Sequence, residues 1–330
     1  MKSKSGWRAF RYISLALVAG LYGGLSVNDP AYAQDNNYPR RAITLIVPYG
    51  AGGLPDMMSR ILQGPLERQL GQRIIIENRV GGGGLVGTQV GMAAKPDGYT
   101  IIWETVTSAI LNQLTKKSPQ FDLRKLVPIT EIAYWPNIVI LSKTVEQNNV
   151  KDYLDLLKAN PGKYKINISA VGSVGDLLAR LFMQRTGTNM LIVPYSTGGD
   201  ASLSMGNGET HMNVGAADAL TSPSTKALCT IAKERSTSLP DTPTCEEAGI
   251  ANYSLANWAG LYGPPGMPAA ITQKIAKSVQ AVLKDSDVQK RFNELVLVSV
   301  GSNPEEFRKV WEHDWIEWQE VIKATGFQAQ

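Results

Sequence analysis

Two stretches of the sequence place glycines immediately before an apolar helical repeat, and the chemistry available to the chain is concentrated there. Pro48 to Asp56 reads PYGAGGLPD, and Ser169 to Asp176 reads SAVGSVGD. Glycines let the backbone turn sharply. The first N–H groups of the helix that follows lack partners inside it and sit at the positive end of the helix dipole, so an anion is held there without Arg or Lys. Two such junctions facing one another across a cleft suit a small carboxylate, bound outside the carboxyl ends of the strands of an open α/β sheet.

Other chemistries find less to work with. A dinucleotide fingerprint starting at Gly50 would need glycine at position 55, which is Pro55. The run Gly81 to Gly84 follows Glu77-Asn78-Arg79-Val80 rather than leaving a strand directly, and reads as turn glycines. No GxSxG elbow occurs, and a hydrolytic triad would have to recruit one of only two histidines, His211 or His313. Asp56 is better read as a helix-capping group than as a general base, because a helix N-terminus stabilises the carboxylate. Cys229 and Cys245 lack the spacing of a metal or redox pair; a disulfide and two separate buried thiols both remain open. No cofactor and no metal are expected.

The elements that must position these loops alternate strand with helix. Ala42 to Pro48 is a short apolar strand, and Pro55 to Leu70 a helix with Met58, Ile61, Leu62, Leu66 and Leu70 on one face before Gly71. Arg73 to Glu77, Leu85 to Ala94 and Tyr99 to Trp103 read as strand, helix and strand, which implies a parallel, doubly wound sheet. A longer strand, Ile132 to Leu141, leads to helix Val150 to Ala159, strand Lys165 to Ser169, helix Asp176 to Thr186, strand Met190 to Val193, helix Ala201 to Met205 and strand Thr210 to Gly215, a second α/β unit. Three helices close the chain at Ala269 to Lys284, Ser286 to Leu295 and Pro304 to Thr325. The apolar stripe of the last, Phe307, Val310, Trp311, Trp315, Trp318 and Val321, is expected in the core.

At the N-terminus, Lys2, Lys4, Arg8 and Arg11 precede an uncharged apolar run, Ile13 to Val27, and Ala31-Tyr32-Ala33 supplies a small-x-small cleavage pattern. Residues 1–33 are therefore expected to be a signal peptide cleaved after Ala33. Its removal leaves 29 basic residues against 28 acidic ones, so the formal charge falls from +4 to +1. The basic balance does not survive processing, which argues against nucleic acid or anionic lipid as a partner.

Family resemblance adds to this reading. The motifs Tyr38-Pro39, Ile43 to Pro48, Gly52-Gly53 with Asp56 and Arg60, Glu77-Asn78-Arg79 with Gly81 to Gly84, and Pro96-Asp97-Gly98-Tyr99-Thr100 are similar to those of the tripartite tricarboxylate transporter substrate-binding proteins, the Bug-type receptors. Further matches follow in order: Asn160-Pro161-Gly162-Lys163, Gly172-Ser173, Val193-Pro194-Tyr195, Leu239-Pro240-Asp241, Trp258 and Pro304-Glu305-Glu306-Phe307.

The resemblance implies an α/β, two-lobed clamshell of the periplasmic-binding-protein kind, each lobe a doubly wound sheet flanked by helices, with two crossing hinge strands at Ile132 to Leu141 and Leu255 to Tyr262. Lobe 1 would comprise residues 38–136 plus 258–330, and lobe 2 residues 137–257. It further implies a small carboxylate ligand, held largely by backbone amides and ordered water. Carried onto this sequence, the ligand-binding positions are Tyr49, Gly50, Ala51, Gly52, Gly53, Leu54 and Asp56; Thr105, Thr107 and Ser108; Ala170, Gly172, Ser173 and Val174; and Asp218.

Delivery to membrane permease subunits is implied, by a receptor expected to be monomeric and not an enzyme. The alternatives are a sensor that signals to a membrane protein without import and, less favoured, an exported hydrolase. Trp103-Glu104 stands where small or apolar residues are usual in the family. Glu104 is open to two readings, selection of a cationic group near the cleft or exposure to solvent. Trp103 and Trp135 could stack on an aromatic acid, with core or hinge packing the preferred alternative.

Overall fold

In the first half of the chain, β1 (Ile43–Val47) is apolar at every position but one because both its faces are covered. Helix α1 (Leu54–Leu70) packs Met58, Ile61, Leu62 and Leu66 inward and ends on Gly71. It is followed by β2 (Ile74–Asn78), a glycine turn at Gly82–Gly84, α2 (Leu85–Met92) and β3 (Thr100–Thr105). Both β2 and β3 lie parallel to β1, one on each side. The structure, a computed structural model, describes residues 37–117, 121–195, 198–220, 222–236 and 238–329. The expected signal segment, residues 1–33, lies outside the described residues.

Beyond β3 the chain makes a π-helical turn, Thr107–Leu111, continued by the single turn α3 (Asn112–Leu114), with Ser108 to Asn112 buried. Helical periodicity gives no sign of it, because every residue from Ala109 to Leu111 is apolar and no polar face marks a period. Next comes β4 (Val127–Ser142), a strand of 16 residues. The second half then runs α4 (Val150–Ala159), β5 (Lys165–Ile168), α5 (Val174–Thr186), β6 (Leu191–Pro194), α6 (Gly198–Gly206), β7 (Met212–Gly215) and β8 (Thr225–Ile231). The chain returns on β9 (Ala256–Gly263) and ends with α7 (Ala269–Val282), α8 (Ser286–Glu294), β10 (Val298–Ser299) and α9 (Pro304–Thr325).

Strand order along the sheet is β2-β1-β3-β9-β4-β7-β5-β6. Its flanks are parallel, as the alternation of elements implies. Its centre is not: β9 is antiparallel to both β3 and β4, and β4 is antiparallel to β7 and β8. The two long central strands, β4 and β9, cover the stretches where the resemblance puts the crossing strands, Ile132 to Leu141 and Leu255 to Tyr262, and run antiparallel to their neighbours. β4 changes partners along its length, pairing with β9 from Val127 to Pro136 and with β8 from Asn137 to Ser142. Pro136 stands at that handover, and a residue without an N–H is tolerated where ladder pairing changes. The expected strand, Ile132 to Leu141, already includes Pro136; what it leaves out is chiefly Val127 to Glu131, where Pro128 interrupts the strand pattern.

Residues Pro39–Gln330 form one compact unit. Its core includes an aromatic cluster between β9 and α9, where Trp258 meets Phe307 edge-on with ring centroids 5.2 Å apart and Tyr262 meets Trp311 at 5.3 Å. The stripe of α9 is therefore core, with Phe307, Trp311, Trp318 and Val321 buried. Asn303 and Glu306 start the helix with a reciprocal capping box.

Cys229 and Cys245 are bridged, with their Cα atoms 5.0 Å apart. The bond ties β8 to the segment whose Thr244 pairs with Thr230. Both cysteines are fully buried. Reduction, or Cys229→Ser with Cys245→Ser, is expected to cost about 2–3 kcal/mol by freeing a closed loop in the unfolded chain. Comparing urea unfolding with and without reductant checks it; coincident midpoints would show that the bridge adds nothing.

Candidate ligand-binding cleft

The two glycine junctions are built alike. In the first, the Gly52 N–H donates to Asp56 Oδ2 at 2.9 Å and Arg60 Nε donates to the same oxygen at 2.8 Å. In the second, the Gly172 N–H donates to Asp176 Oδ2 at 2.8 Å and Arg180 Nε donates to Oδ1 at 2.8 Å. Both glycines are left-handed, with φ of 80° and 79°, a conformation that a side chain would strain. The shared pattern is Gly, then Asp four residues on, then Arg four residues after that, and it occurs once in each half of the sheet.

Each aspartate is turned back into its own loop. Asp56 is buried, and its other oxygen accepts from Asn78 Nδ2 at 3.0 Å. Burial pushes this carboxyl up, but the hydrogen bonds from Arg60, Gly52 and Asn78 outweigh burial and hold it below the usual carboxylate range. Its contribution to the site is to shape the loop.

A cleft of about 320 Å³ opens where the junctions meet. Of the residues singled out from the sequence, Tyr49, Leu54, Thr105, Thr107, Ser173 and Val174 line it. Gly50, Ala51, Gly52, Gly53, Asp56, Ser108, Ala170 and Gly172 are not among the lining residues. Asp218 lies on the short turn Ala217–Leu220 after β7, and its side chain is outside the described part of the structure. The lining also includes Trp135 and Asn137 from β4, Asn257 from β9, and the end of β7 from Asn213 to Ala216. Sequence inspection misses the asparagines because each sits in or beside an apolar strand whose position relative to the loops only the sheet order reveals.

Among the described residues, no charged side chain lines the cleft. What it offers instead is backbone and neutral polar groups. Gly53 begins α1 without a side-chain cap, and Ser173 caps only the Asp176 N–H of α5. That leaves the N–H groups of Leu54 and Asp56 at the start of α1, where Pro55 has none, and those of Val174 and Gly175 at the start of α5, as an anion site requires.

Behind the wall of the cleft lies a packed polar cluster. Tyr49 Oη and Thr105 Oγ1 are 2.6 Å apart, and the Thr105 N–H donates to Ser108 Oγ at 3.0 Å. Burial pushes the Tyr49 hydroxyl up to about 12, so it stays protonated. Glu104 is fully buried and receives or makes a hydrogen bond with Thr88 Oγ1 at 2.7 Å. It neither reaches the cleft nor faces solvent, contrary to both readings of the sequence, because β3 directs it under α2. Burial pushes its carboxyl up to about 8. Trp103 is likewise buried out of reach, whereas Trp135 lines the cleft.

Gly84 makes this cluster possible. A Cβ there would lie 2.9 Å from Ser108 Cβ and 3.5 Å from Tyr49 Cζ, and its φ is 98°. Gly84→Ala is expected to destabilise the protein by about 1–3 kcal/mol through strain and overpacking. A melting temperature equal to the wild type would show that Ser108 and Tyr49 can yield.

Known proteins are similar to this chain in sequence and fold. BugT of Bordetella pertussis is 27% identical over 297 residues, covering 88% of this chain and 91% of its own. A UPF0065 protein encoded in the TAR-I ttuE-ttuC' intergenic region of Agrobacterium vitis is 30% identical over 303 residues, covering 89% and 84%. Among solved structures, the periplasmic binding protein BugD superposes with a TM-score of 0.80 at 27% identity, covering 89% of this chain and all (100%) of that one. A protein of R. palustris solved with adipate gives 0.83 at 27% identity, covering 88% and 98%. The fold is thus the α/β fold of the periplasmic binding proteins. Residues 58–327 match the profile of the tripartite tricarboxylate transporter family receptor, and the chain belongs to that family.

Proposed function

We propose that this receptor captures a small carboxylate without a cationic group, closes around it and presents it to the permease subunits of a tripartite transporter. One observation carries the reading: two helix starts of similar build, one from each half of the sheet, meet at a cleft that no charged side chain among the described residues lines. An anion is satisfied by such N–H groups. The ammonium group of an amino acid would find no carboxylate to pair with among the described lining residues and would lose its hydration unrewarded. The adipate bound to the R. palustris relative supports a dicarboxylate.

Closure follows from the division of labour. Lobe 1, residues 38–136 with 258–330, supplies the first junction, and lobe 2, residues 137–257, supplies the second. The change of partners along β4 at Pro136 and Asn137 supports a hinge there. A ligand that touches both junctions only when they approach shifts the population toward the closed form. Residues 1–33 direct export and are removed after Ala33, placing the receptor in the periplasm as a monomer. Among the described residues, no helix is long and apolar enough to cross a membrane.

Thermal unfolding of the mature chain against adipate, succinate, citrate, benzoate and glutamate tests the ligand class. At 100 times its Kd a ligand adds about 2.7 kcal/mol to the native state, enough to raise the melting temperature by several degrees. A shift with adipate or succinate and none with glutamate is the expected pattern. Stabilisation by glutamate alone would sink the exclusion of amines, and no response to any carboxylate would sink the anion site.

A further inference from the structure

The wall of the cleft carries three asparagines, Asn137 from β4, Asn213 from β7 and Asn257 near the start of β9. An amide shows a ligand either an acceptor oxygen or a donor nitrogen, and which one it shows decides what the ligand must bring. For each of the three, the partners already made within the protein settle which end is left over.

At Asn213 a chain of hydrogen bonds running inward fixes the answer. Ser204 Oγ donates to the Ala201 carbonyl oxygen at 2.8 Å, so it can only accept from Thr210 Oγ1, 2.7 Å away. Thr210 owns one hydrogen and gives it to Ser204. Its oxygen then accepts from Asn167 Nδ2 at 2.9 Å, a nitrogen that also lies 3.4 Å from the Ala201 carbonyl oxygen. The Asn167 side-chain oxygen in turn accepts from Asn213 Nδ2 at 2.6 Å, and that nitrogen lies 3.3 Å from the Asn167 main-chain carbonyl. Carbonyls only accept, so those of Ala201 and Asn167 hold the direction of the chain; turning either amide over would set oxygen against oxygen. The chain is built in: Asn167 and Asn213 are register partners on the parallel strands β5 and β7, and Asn167, Ser204 and Thr210 are buried.

What remains for the cleft is the Asn213 oxygen, which accepts no hydrogen bond from the described residues. Gly215, two residues on and also in the lining, keeps the space beside it open, since a Cβ there would lie 2.7 Å from Asn213 Oδ1. The end of β7 packs against the start of α5, where a Cβ on Gly175 would lie 2.9 Å from the Val214 carbonyl oxygen. The acceptor thus belongs to the strand end that adjoins the N–H groups suited to a carboxylate. Asn137 shows the same end: it is 2% exposed, its Nδ2 donates to the Leu255 carbonyl oxygen at 3.3 Å, and its oxygen has no partner among the described residues. Asn257 is reversed, because its oxygen accepts the Trp258 N–H at 3.1 Å.

A carboxylate oxygen satisfies neither of these two acceptors, whereas a ligand O–H does. We propose that the receptor selects a hydroxy-carboxylate, whose hydroxyl, on the carbon beside one carboxylate, donates to Asn213 Oδ1, with Asn137 Oδ1 as the second acceptor on the wall. This rests on the carboxylate reading above and goes beyond it, since the adipate of the R. palustris relative has no hydroxyl. An ammonium group also donates, but it brings a full charge that neutral amide oxygens do not balance. An unsubstituted diacid still occupies the helix starts and leaves the amide oxygens against its carbon chain, at the penalty of a covered acceptor without a donor.

Calorimetry on the mature protein with succinate, the two enantiomers of malate, and aspartate tests it, because these ligands differ only in the hydrogen, hydroxyl or ammonium on one carbon. Glutarate, 2-hydroxyglutarate and glutamate repeat the comparison at a longer spacing of the carboxylates. At the better-fitting length, one enantiomer of the hydroxy acid is expected to bind about ten- to a hundredfold more tightly than the plain diacid. The amino acid should bind no more tightly than the plain diacid. Asn213→Ala should bring the hydroxy acid to within about threefold of the plain diacid and change the diacid itself by less than about threefold. If that variant fails to fold, the wild-type series decides alone. Plain and hydroxylated diacids bound alike at both lengths, an amino acid preferred over the hydroxy acid, or a folded Asn213→Ala that keeps the preference overturns the proposal. Diacids bound without preference leave the carboxylate reading standing; no binding by any of the carboxylates, adipate and citrate included, takes down both.

Discussion

Asp176→Ala is expected to destabilise the protein by about 3–4 kcal/mol and to weaken carboxylate capture by about 100-fold. The carboxylate is fully buried and holds the second junction from both sides, the Gly172 N–H in the loop and Arg180 on the helix. Without it, the Gly172 N–H is left buried and unpaired in a left-handed residue wedged against Thr115, whose Oγ1 lies 3.0 Å from where a Cβ would be. The loop then has no reason to keep that conformation, and the start of α5 moves relative to the start of α1. Arg180 is a third exposed and can turn to water, which keeps the cost at the lower end for a broken buried pair. Asp176→Asn keeps an acceptor for Gly172 and should lose about half as much. Arg180→Ala should lose least, since Asp176 retains its backbone bond. Urea midpoints and adipate titrations on the three variants settle the order, and an alanine variant that binds like the wild type would show that the loop holds its shape unaided.

That experiment turns on a feature the sequence displays but does not explain. The spacing of Gly52, Asp56 and Arg60, repeated at Gly172, Asp176 and Arg180, is visible in one dimension, and helix-end physics correctly marks both loops. Local rules extend to the helices: α9 begins at its expected residue because Asn303, Pro304 and Glu306 are strong local signals. They stop at anything decided between distant segments. β8 follows a Ser/Pro-rich stretch and gains its strand character only by pairing with the far half of β4. Asn137, Asn213 and Asn257 reach the cleft because β4, β7 and β9 happen to end around it, a consequence of strand order. The bridge from Cys229 to Cys245 could not be chosen over two thiols for the same reason, since its geometry depends on where Thr244 docks. Glu104 is the sharpest failure. A charged residue in a strand near a ligand loop suggests a surface or a ligand contact, and only the covering of β3 by α2 makes it an interior acid.

The interior position of Glu104 has a consequence for stability that can be separated from every other group in the protein. Its folded pKa is raised from 4.5 to about 8, so between those values the folded chain holds a proton that the unfolded chain has released. The associated stability is fully present below pH 4.5 and is lost as pH rises to about 8. At about 1.4 kcal/mol per unit, the wild type is expected to lose about 5 kcal/mol across that window from this group alone. Glu131 is pushed up to about 7, chiefly by burial and then by Asp314, and it acts in the same direction. It is present in both wild type and Glu104→Gln, so it cancels in their difference. The glutamine amide is neutral at every pH, close in shape, and able to donate to Thr88 as the protonated acid does. Urea midpoints measured at pH 5 and pH 8.5 should therefore converge on different sides: Glu104→Gln equal to or below the wild type at pH 5, and above it at pH 8.5. Parallel pH dependence in the two proteins would mean that Glu104 ionises in the folded state as it does in water, which its burial behind Thr88 and Ser108 does not permit without an opening of the cluster that closes the back of the cleft.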